Sequence, residues 1–276
     1  MKASRKFNAL PGFGLTMGFT LVYLGLIVLL PVAAMVFKVC EMPWSEFWRF
    51  ATEPRALAAY QLTFGASLIA ALVNALFGSV LAWVLVRYRF PGRKMLDAVV
   101  DIPFALPTAV AGLTLADLFA PNGWLGSFLT PLGVQGAYSR LGVVLAMVFV
   151  GLPFVVRTLQ PVLEGMERDV EEAAATLGSS RLRTFFSILA PTLVPTVITG
   201  FSLAFARAIG EYGSVVFISG NLPFRTEIAP YLLYQHLEQF NYQAAMAVAV
   251  VLLALSFALL ITINLIERWA SRFHQH

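Results

Sequence analysis

The polar segment 172–191 contains the residues whose types and spacing are most informative. Acidic residues between 164 and 172 precede its central glycine and basic residues follow it, which is typical of two short helices that meet at an angle. Small side chains on one face of the first helix let the backbone of another protein approach closely. We therefore predict a rigid docking surface rather than a catalytic site. The residues that define this surface are Glu172, Ala173, Ala174, Gly178, Ile188 and Pro191.

A second informative pair is formed by Arg207 and Glu211, which are four positions apart within an apolar stretch. Ionisable groups at membrane depth are costly and usually face a partner or a water-filled cavity. Four-residue spacing allows direct pairing along one face of a helix. Two interpretations stay open at this point. The residues form a mutually neutralised structural pair, or they border a gate where Gly210 and Gly213 leave room for movement.

Other patterns that would indicate catalysis or metal binding are missing from the sequence. It has no glycine-rich loop that ends in Lys and Ser or Thr and could cradle nucleotide phosphates. His236, His274 and His276 have no further ligands at metal spacing. Cys40 is the only cysteine, so an internal disulfide is impossible. These observations disfavour a membrane enzyme and predict no cofactor on this chain.

Membrane helices must position the informative residues. Of the 276 residues, 59% are hydrophobic and 12% are charged, against about 25% charged in globular proteins. Continuous apolar runs without period-two alternation predict helices rather than barrel strands. The fold class is all-α integral membrane, with one domain over residues 1–276. The six predicted spans are about 15–37, 62–86, 98–119, 141–162, 192–218 and 244–266.

Positive charges sort by membrane side under this assignment. Thirteen of the 19 Lys and Arg residues, including Lys2, Arg5 and Lys6, fall on the same side as both termini and the loop 163–191. Loops rich in Lys and Arg stay cytoplasmic, so both termini and this loop are predicted inside. Such sorting also argues against nucleic-acid binding, which needs basic residues concentrated on one soluble face. The turn that contains Arg87 is assigned no role beyond topology.

Proline positions predict departures from straight helices. Pro103 and Pro107 lie in the third span, and Pro153 and Pro161 in the fourth. Each proline removes a backbone donor and clashes with the preceding turn. Neighbouring helices or a water-filled path can satisfy the carbonyls that this frees. We predict kinked helices around a pathway, and simple shaping of the bundle is an equal explanation.

The segment 172–191 resembles the EAA loop of permease subunits in bacterial ABC importers, whose pattern is Glu-Ala-Ala, three residues, Gly, nine residues, Ile, one residue, Leu-Pro. The segment departs from it at Ala190, where leucine is usual. The segments 101–112, 151–157 and 205–213 resemble the oxyanion branch of that family. Within the branch they are most similar to the T subunits of sulfate/thiosulfate permeases. Molybdate/tungstate permeases are the alternative, and an independent secondary transporter is less favoured because intramembrane acids are few.

The resemblance implies a translocation path at a dimer interface in the bacterial inner membrane. It implies four kinds of partner: a second permease subunit, related or identical; two ATPase subunits that hold ATP and Mg; a periplasmic sulfate/thiosulfate-binding protein; and membrane lipid. Glu172 is then the expected charged contact with the ATPase, and Ala173 and Ala174 give close packing. Gly178 supplies the bend, and Pro191 passes movement to the helix with Arg207.

An oxyanion cargo suggests further residues for the path. A tight cationic site would hold a dianion, so transient hydrogen bonds from hydroxyls or backbone N–H groups suit passage better. Small polar residues also serve helix packing, which is favoured for each of them taken alone. The candidates are Thr108, Thr199, Ser202 and Ser214. Asp101 and Asp117 would repel the anion, so they are expected to pair with a cation elsewhere.

Overall fold

The structure is a computed structural model that describes residues 13–166 and 169–272. These residues form helices and connecting turns, without a strand. Several residues used for the topology and metal arguments lie outside the described residues. They are Lys2, Arg5, Lys6, Arg168, His274 and His276.

Helices follow one another along nearly the whole described chain. The first eight are α1 (Phe13–Leu24), α2 (Leu30–Cys40), α3 (Trp44–Ala51), α4 (Pro54–Arg87), α5 (Arg93–Val100), α6 (Ile102–Ala105), α7 (Thr108–Phe119) and α8 (Gly126–Leu129). The remaining seven are α9 (Arg140–Gly165), α10 (Asp169–Thr176), α11 (Arg181–Thr184), α12 (Ala190–Ile209), α13 (Val215–Ile218), α14 (Ala229–Glu238) and α15 (Tyr242–Arg272).

Five helical stretches among the described residues are long and apolar enough to cross a membrane. They correspond to the first, second, fourth, fifth and sixth predicted spans, with different end residues. The stretches are Phe13–Cys40, Pro54–Arg87, Arg140–Gly165, Arg181–Ile209 and Tyr242–Ile263. The apolar helix α7 has 12 residues. At about 1.5 Å rise per residue it is shorter than the hydrocarbon core of about 30 Å.

The third predicted span, 98–119, is not one continuous helix. The chain forms α5, α6 and α7 in succession, and Leu106 and Pro107 between the last two have extended ψ angles of 135° and 132°. A residue before proline is pushed out of the helical region because the ring crowds its backbone. The irregularity predicted from Pro103 and Pro107 is confirmed, whereas the single-helix boundary is wrong.

The fifth predicted span, 192–218, also ends early. Helix α12 stops at Ile209, and α13 begins only at Val215. Gly210 and Gly213 in the gap are poor helix formers because their backbones lose the most freedom on folding. Glu211 therefore lies beyond the helix that carries Arg207, which corrects the expectation that both are on one helix.

Two π-helical turns precede prolines in otherwise continuous helices. Gly25–Leu29 comes just before Pro31, and Phe185–Leu189 comes just before Pro191. Proline has no backbone N–H, so the preceding turn loses a hydrogen bond and can widen into this rarer geometry. By contrast, α9 stays helical through Pro153 and Pro161.

The centre of the bundle is formed by α4, α9 and α12. Val155 of α9 is fully buried between two glycines of its neighbours. A Cβ atom at Gly78 of α4 would lie 3.0 Å from Val155 Cγ1, and one at Gly200 of α12 would lie 3.1 Å from Val155 Cα. Small residues let membrane helices approach closely. Dispersion and backbone contacts then stabilise the packing, because lipid provides no hydrophobic force that pushes the helices together. This packed centre supports the polar segments at its two ends.

Candidate functional site

Residues 169–189, from the start of α10 to the end of the π-helical turn Phe185–Leu189, are here called the coupling segment. The segment bends at Gly178. Gly178 has φ +80°. Its N–H donates to the carbonyl of Ala175 at 3.0 Å, and the Ser179 N–H donates to the carbonyl of Ala174 at 3.0 Å. These two bonds form a Schellman motif, which closes a helix with a left-handed residue. Gly178 thus has the conformation expected from the sequence.

The second arm of the coupling segment begins directly after this bend. Ser180 is the N-cap of α11, and its hydroxyl accepts a hydrogen bond from the Arg183 N–H at 3.4 Å. The hydroxyl of Thr184 donates to that of Ser179 at 3.1 Å. Side-chain caps of this kind satisfy the free N–H groups at a helix start. The angle between the arms is therefore fixed by local hydrogen bonds.

An open apolar groove of about 590 Å³ runs along the coupling segment. Leu177 is 88% exposed and Val170 is 46% exposed at its edge. An exposed apolar patch in a polar segment marks an interaction site. Glu172 and Ala173 are exposed as a docking surface requires, whereas Ala174 is buried within this chain. Ile188 and Pro191 are half-buried where the segment joins α12.

Arg207 and Glu211 form an ion pair although the helix ends between them. Arg207 Nη1 lies 2.6 Å from Glu211 Oε2, and the Glu211 side chain is 1% exposed. The other carboxylate oxygen accepts hydrogen bonds from both the N–H and the hydroxyl of Ser214, each at 2.9 Å. Both oxygens of the buried carboxylate are thus partnered, as a buried charge requires. The geometry favours the structural-pair interpretation.

The start of α7 packs directly against the segment that carries Glu211. A Cβ atom at Gly213 would overlap Thr108, and one at Gly112 would overlap the Ser214 carbonyl. Thr108 and Ser214 are therefore brought next to the ion pair by two close backbone approaches. Gly213 is tightly packed, which contradicts the expected room for movement there. Of the two glycines expected to leave room, Gly210 is the one with open space at its Cβ position.

Thr199 and Ser202 lie elsewhere on α12. The Thr199 hydroxyl donates to the Pro195 carbonyl at 3.1 Å, and the Ser202 hydroxyl donates to the Ile198 carbonyl at 2.7 Å. Thr199 precedes Arg207 by eight residues, which is about 12 Å along a helix. The structure thus groups Thr108 and Ser214 with the ion pair, and leaves Thr199 and Ser202 apart from it.

Sequence reasoning missed a network around Arg157 of α9. Its guanidinium binds Asp101 through Nε at 2.8 Å and Nη2 at 2.5 Å, and its Nη1 donates to Asp97 at 2.7 Å. Gln160 donates to the same Asp97 oxygen at 2.9 Å. The expectation that Asp101 pairs with a cation is confirmed, while Asp117 is exposed. The network ties the broken third segment to α9.

Replacing Asp101 with alanine is expected to lower the free energy of unfolding by about 1 kcal/mol. The pair with Arg157 is only half-buried, at 30% and 49% side-chain exposure, so solvent screening limits its value. Thermal unfolding in detergent measures the effect, as a midpoint about 2 to 4 °C lower. Asp117→Ala is the matched control and should leave the midpoint unchanged. Equal shifts in the two variants would contradict the network.

A second missed pair joins α4 to the loop before α14. Arg55 Nε lies 2.8 Å from one oxygen of Glu227, and Nη2 lies 2.6 Å from the other. Glu227 is 2% exposed, and Gln235 also contacts the guanidinium. Nearby, burial lowers the pKa of the His236 imidazole. The sequence signal that could have found this pair is a single glutamate, Glu227, beside an apolar stretch.

Comparison with known proteins identifies the class of transport protein. The family described as "Binding-protein-dependent transport system inner membrane component" matches residues 74–272. The chain belongs to this family. The matched region of the permease includes the coupling segment, the Arg157 network and the Arg207–Glu211 pair. The expected resemblance to ABC importer permeases is confirmed.

Individual relatives agree with the family match. The permease is 50% identical over 254 residues to the sulfate transport system permease protein CysT of Synechocystis, which covers 92% of this chain and 89% of that protein. It is 47% identical over 273 residues to CysT of Salmonella typhimurium, covering 99% and 98%. A chain in the crystal structure of a bacterial ABC transporter involved in the import of alginate has a TM-score of 0.76 at 15% identity, and the match covers 93% of this chain and 96% of that one. That likeness establishes the shared fold.

Family membership places the permease among multi-pass inner membrane proteins that act as transport components rather than enzymes. Such permeases work with a partner permease, an ATPase and a binding protein.

Proposed function

We propose that this permease carries sulfate, and thiosulfate as a second substrate, as one subunit of an ATP-driven importer. The observation that supports this most strongly is similarity to a sulfate transport permease over 99% of this chain and 98% of that protein. Similarity along the whole chain includes every element around the Arg207–Glu211 pair. The two anions are both divalent and tetrahedral, so one path suits both.

The proposed arrangement has six crossings, with α5, α6 and α7 together making the third. Both termini and the coupling segment face the cytoplasm, as the distribution of Lys and Arg indicates. The partners are a second, related permease subunit, two ATPase subunits and a periplasmic sulfate/thiosulfate-binding protein. ATP and Mg bind on the ATPase subunits, which leaves hydrolysis outside this chain.

In this mechanism α10 docks in the ATPase with Glu172 as the charged contact and Leu177 as an apolar one. Closure of the ATPase dimer moves the coupling segment as a rigid unit because its bend is held by local hydrogen bonds. Pro191 passes the movement to α12, whose far end carries Arg207. Glu211 already neutralises that guanidinium, so hydroxyls such as Thr108 and nearby backbone N–H groups give the anion transient hydrogen bonds.

Uptake into vesicles tests this function directly. Vesicles that contain the permease pair, the ATPase and the binding protein should accumulate labelled sulfate with ATP and not with ADP. Excess thiosulfate should compete, whereas molybdate at low concentration should not. Inhibition by molybdate alone would replace sulfate with the alternative oxyanion. Uptake by vesicles that lack the ATPase would instead indicate a secondary transporter.

A further inference from the structure

Arg87, the last residue of α4, is unusually buried for an arginine in a cytoplasmic turn. Its side chain is 10% exposed, whereas Arg89 two positions later is exposed. A topology signal needs only charge near the membrane, and a solvated side chain supplies that. Burying a guanidinium is costly unless other groups compensate for its lost hydration. The burial of Arg87 therefore calls for specific partners.

Two partners hold the Arg87 guanidinium. Its Nη2 atom lies 2.8 Å from Oε1 of Glu171 on α10. These two atoms are not aligned as a hydrogen bond, so the attraction is that of an ion pair. The guanidinium carbon also lies 5.4 Å from the centre of the Trp83 ring, one turn earlier on α4. Cations attract aromatic faces at this distance, and more strongly when water is excluded.

Trp83 extends this contact to the other arm of the coupling segment. Its ring meets the Phe185 ring edge-on, with 5.6 Å between the centres. Glu171 precedes the Gly178 bend and Phe185 follows it. One turn of α4, formed by Trp83 and Arg87, therefore contacts both arms.

The space between α4 and the coupling segment is otherwise loosely filled. A cavity of about 550 Å³ lies beside the Arg87–Glu171 pair. It is lined by residues of both elements, including Tyr88 and Glu172. Because continuous packing does not join the two elements here, the contacts of Trp83 and Arg87 carry much of the connection.

We propose that Arg87 is a positioning residue that transmits movement of the coupling segment to α4. Helix α4 packs along α9 and α12 in the centre of the bundle. Movement then enters the bundle at two points, through Pro191 into α12 and through Arg87 into α4. This inference rests on the proposed docking of the coupling segment to an ATPase. Arg87, which was expected from the sequence only to fix membrane topology, thereby gains a second role.

Charge exchange tests the proposal in vesicles that contain the complete transporter. The measured quantity is the ratio of sulfate taken up to ATP hydrolysed, which a purely topological or structural role would not change. Arg87→Glu and Glu171→Arg should each lower this ratio about tenfold, because like charges then repel across the contact. The double variant Arg87→Glu/Glu171→Arg should recover it to within about twofold, since the pair is restored with its signs reversed.

Arg89→Glu is the matched control because it removes the same topological charge from an exposed side chain. It should leave the ratio unchanged. Glu171→Gln serves as a milder variant if a charge reversal prevents insertion, and it should lower the ratio about threefold. Wild-type ratios in inserted Glu171→Gln and Glu171→Arg would overturn the proposal. So would a double variant that is no better than the worse single variant.

A further variant separates failure of this inference from failure of the proposed function. Gly178→Val changes the coupling segment without touching Arg87. If Gly178→Val uncouples uptake while the Arg87 and Glu171 variants behave as wild type, only the role of Arg87 is wrong. If Gly178→Val transports normally, the docking role of the segment fails and the inference fails with it.

Discussion

Valine in place of Gly178 is expected to reduce ATP-driven sulfate uptake by up to about 30-fold while the permease stays inserted in the membrane. Gly178 has φ +80°, and no atom lies within 4 Å of the position that a Cβ would take. Backbone conformation rather than crowding therefore opposes a side chain here. An L-residue in the left-handed region costs about 1 to 2 kcal/mol, with β-branched residues at the upper end. About 2 kcal/mol lowers the ratio of the native bend to other conformations roughly 30-fold, which sets the upper limit of the loss.

Uptake and ATP hydrolysis are measured together in vesicles, with the amount of inserted permease as the reference. Gly178→Asn is the matched control because asparagine tolerates the left-handed conformation. It places a polar side chain in the same open space and should reduce uptake no more than about threefold. Equal losses in the two variants would show that any side chain interferes, and that the bend itself is not the cause.

The coupling segment was predictable because its signals are local. A helix that ends in a Schellman motif needs its left-handed residue two positions beyond the last helical one, and Gly178 stands there. Ser180 before α11 is a favoured N-cap. Each signal can be read within a few residues, and no contact from a distant part of the chain is needed to produce the bend.

The charge partners were not predictable because they come from distant parts of the sequence. Arg157 and Asp97 are 60 positions apart, and Arg55 and Glu227 are 172 positions apart. Hydropathy and charge sorting treat each residue singly, so they assign Arg157 to a membrane side without naming the carboxylate that it binds. Pairing depends on which helices become neighbours, and local sequence patterns do not show that.

Helix ends inside the apolar stretches were missed for a related reason. An apolar run from 192 to 218 satisfies the length of a span, but hydropathy does not register that Gly210 and Gly213 weaken the helix. Nor does it register that Thr108 needs the close approach that Gly213 permits. The end of α12 therefore reflects both the two glycines and their packing against α7.

Glu211→Ala is expected to have the largest effect on stability, about 3 to 5 kcal/mol. It leaves Arg207 without its carboxylate and removes the acceptor for the Ser214 N–H and hydroxyl. The Ser214 groups lose their acceptor where the Glu211 side chain is 1% exposed, so water cannot readily replace it, whereas Arg207 at 33% exposure keeps part of its hydration. The thermal midpoint of the purified permease should fall by about 10 °C. The Glu211→Gln variant keeps an acceptor for Ser214, so its thermal midpoint should fall by about half as much.

A double variant decides between the structural-pair and gate interpretations. Arg207→Met/Glu211→Gln removes both charges together, keeps an acceptor for Ser214, and replaces the guanidinium with an apolar side chain. Substitution of a buried ion pair as a unit is often close to neutral, whereas removal of one partner is not. The double variant should therefore recover most of the thermal midpoint, and sulfate uptake should recover with it if the pair only supports the fold. A variant that regains its midpoint yet fails to transport would assign the pair to the gate, because only a contact needed during passage separates transport from stability.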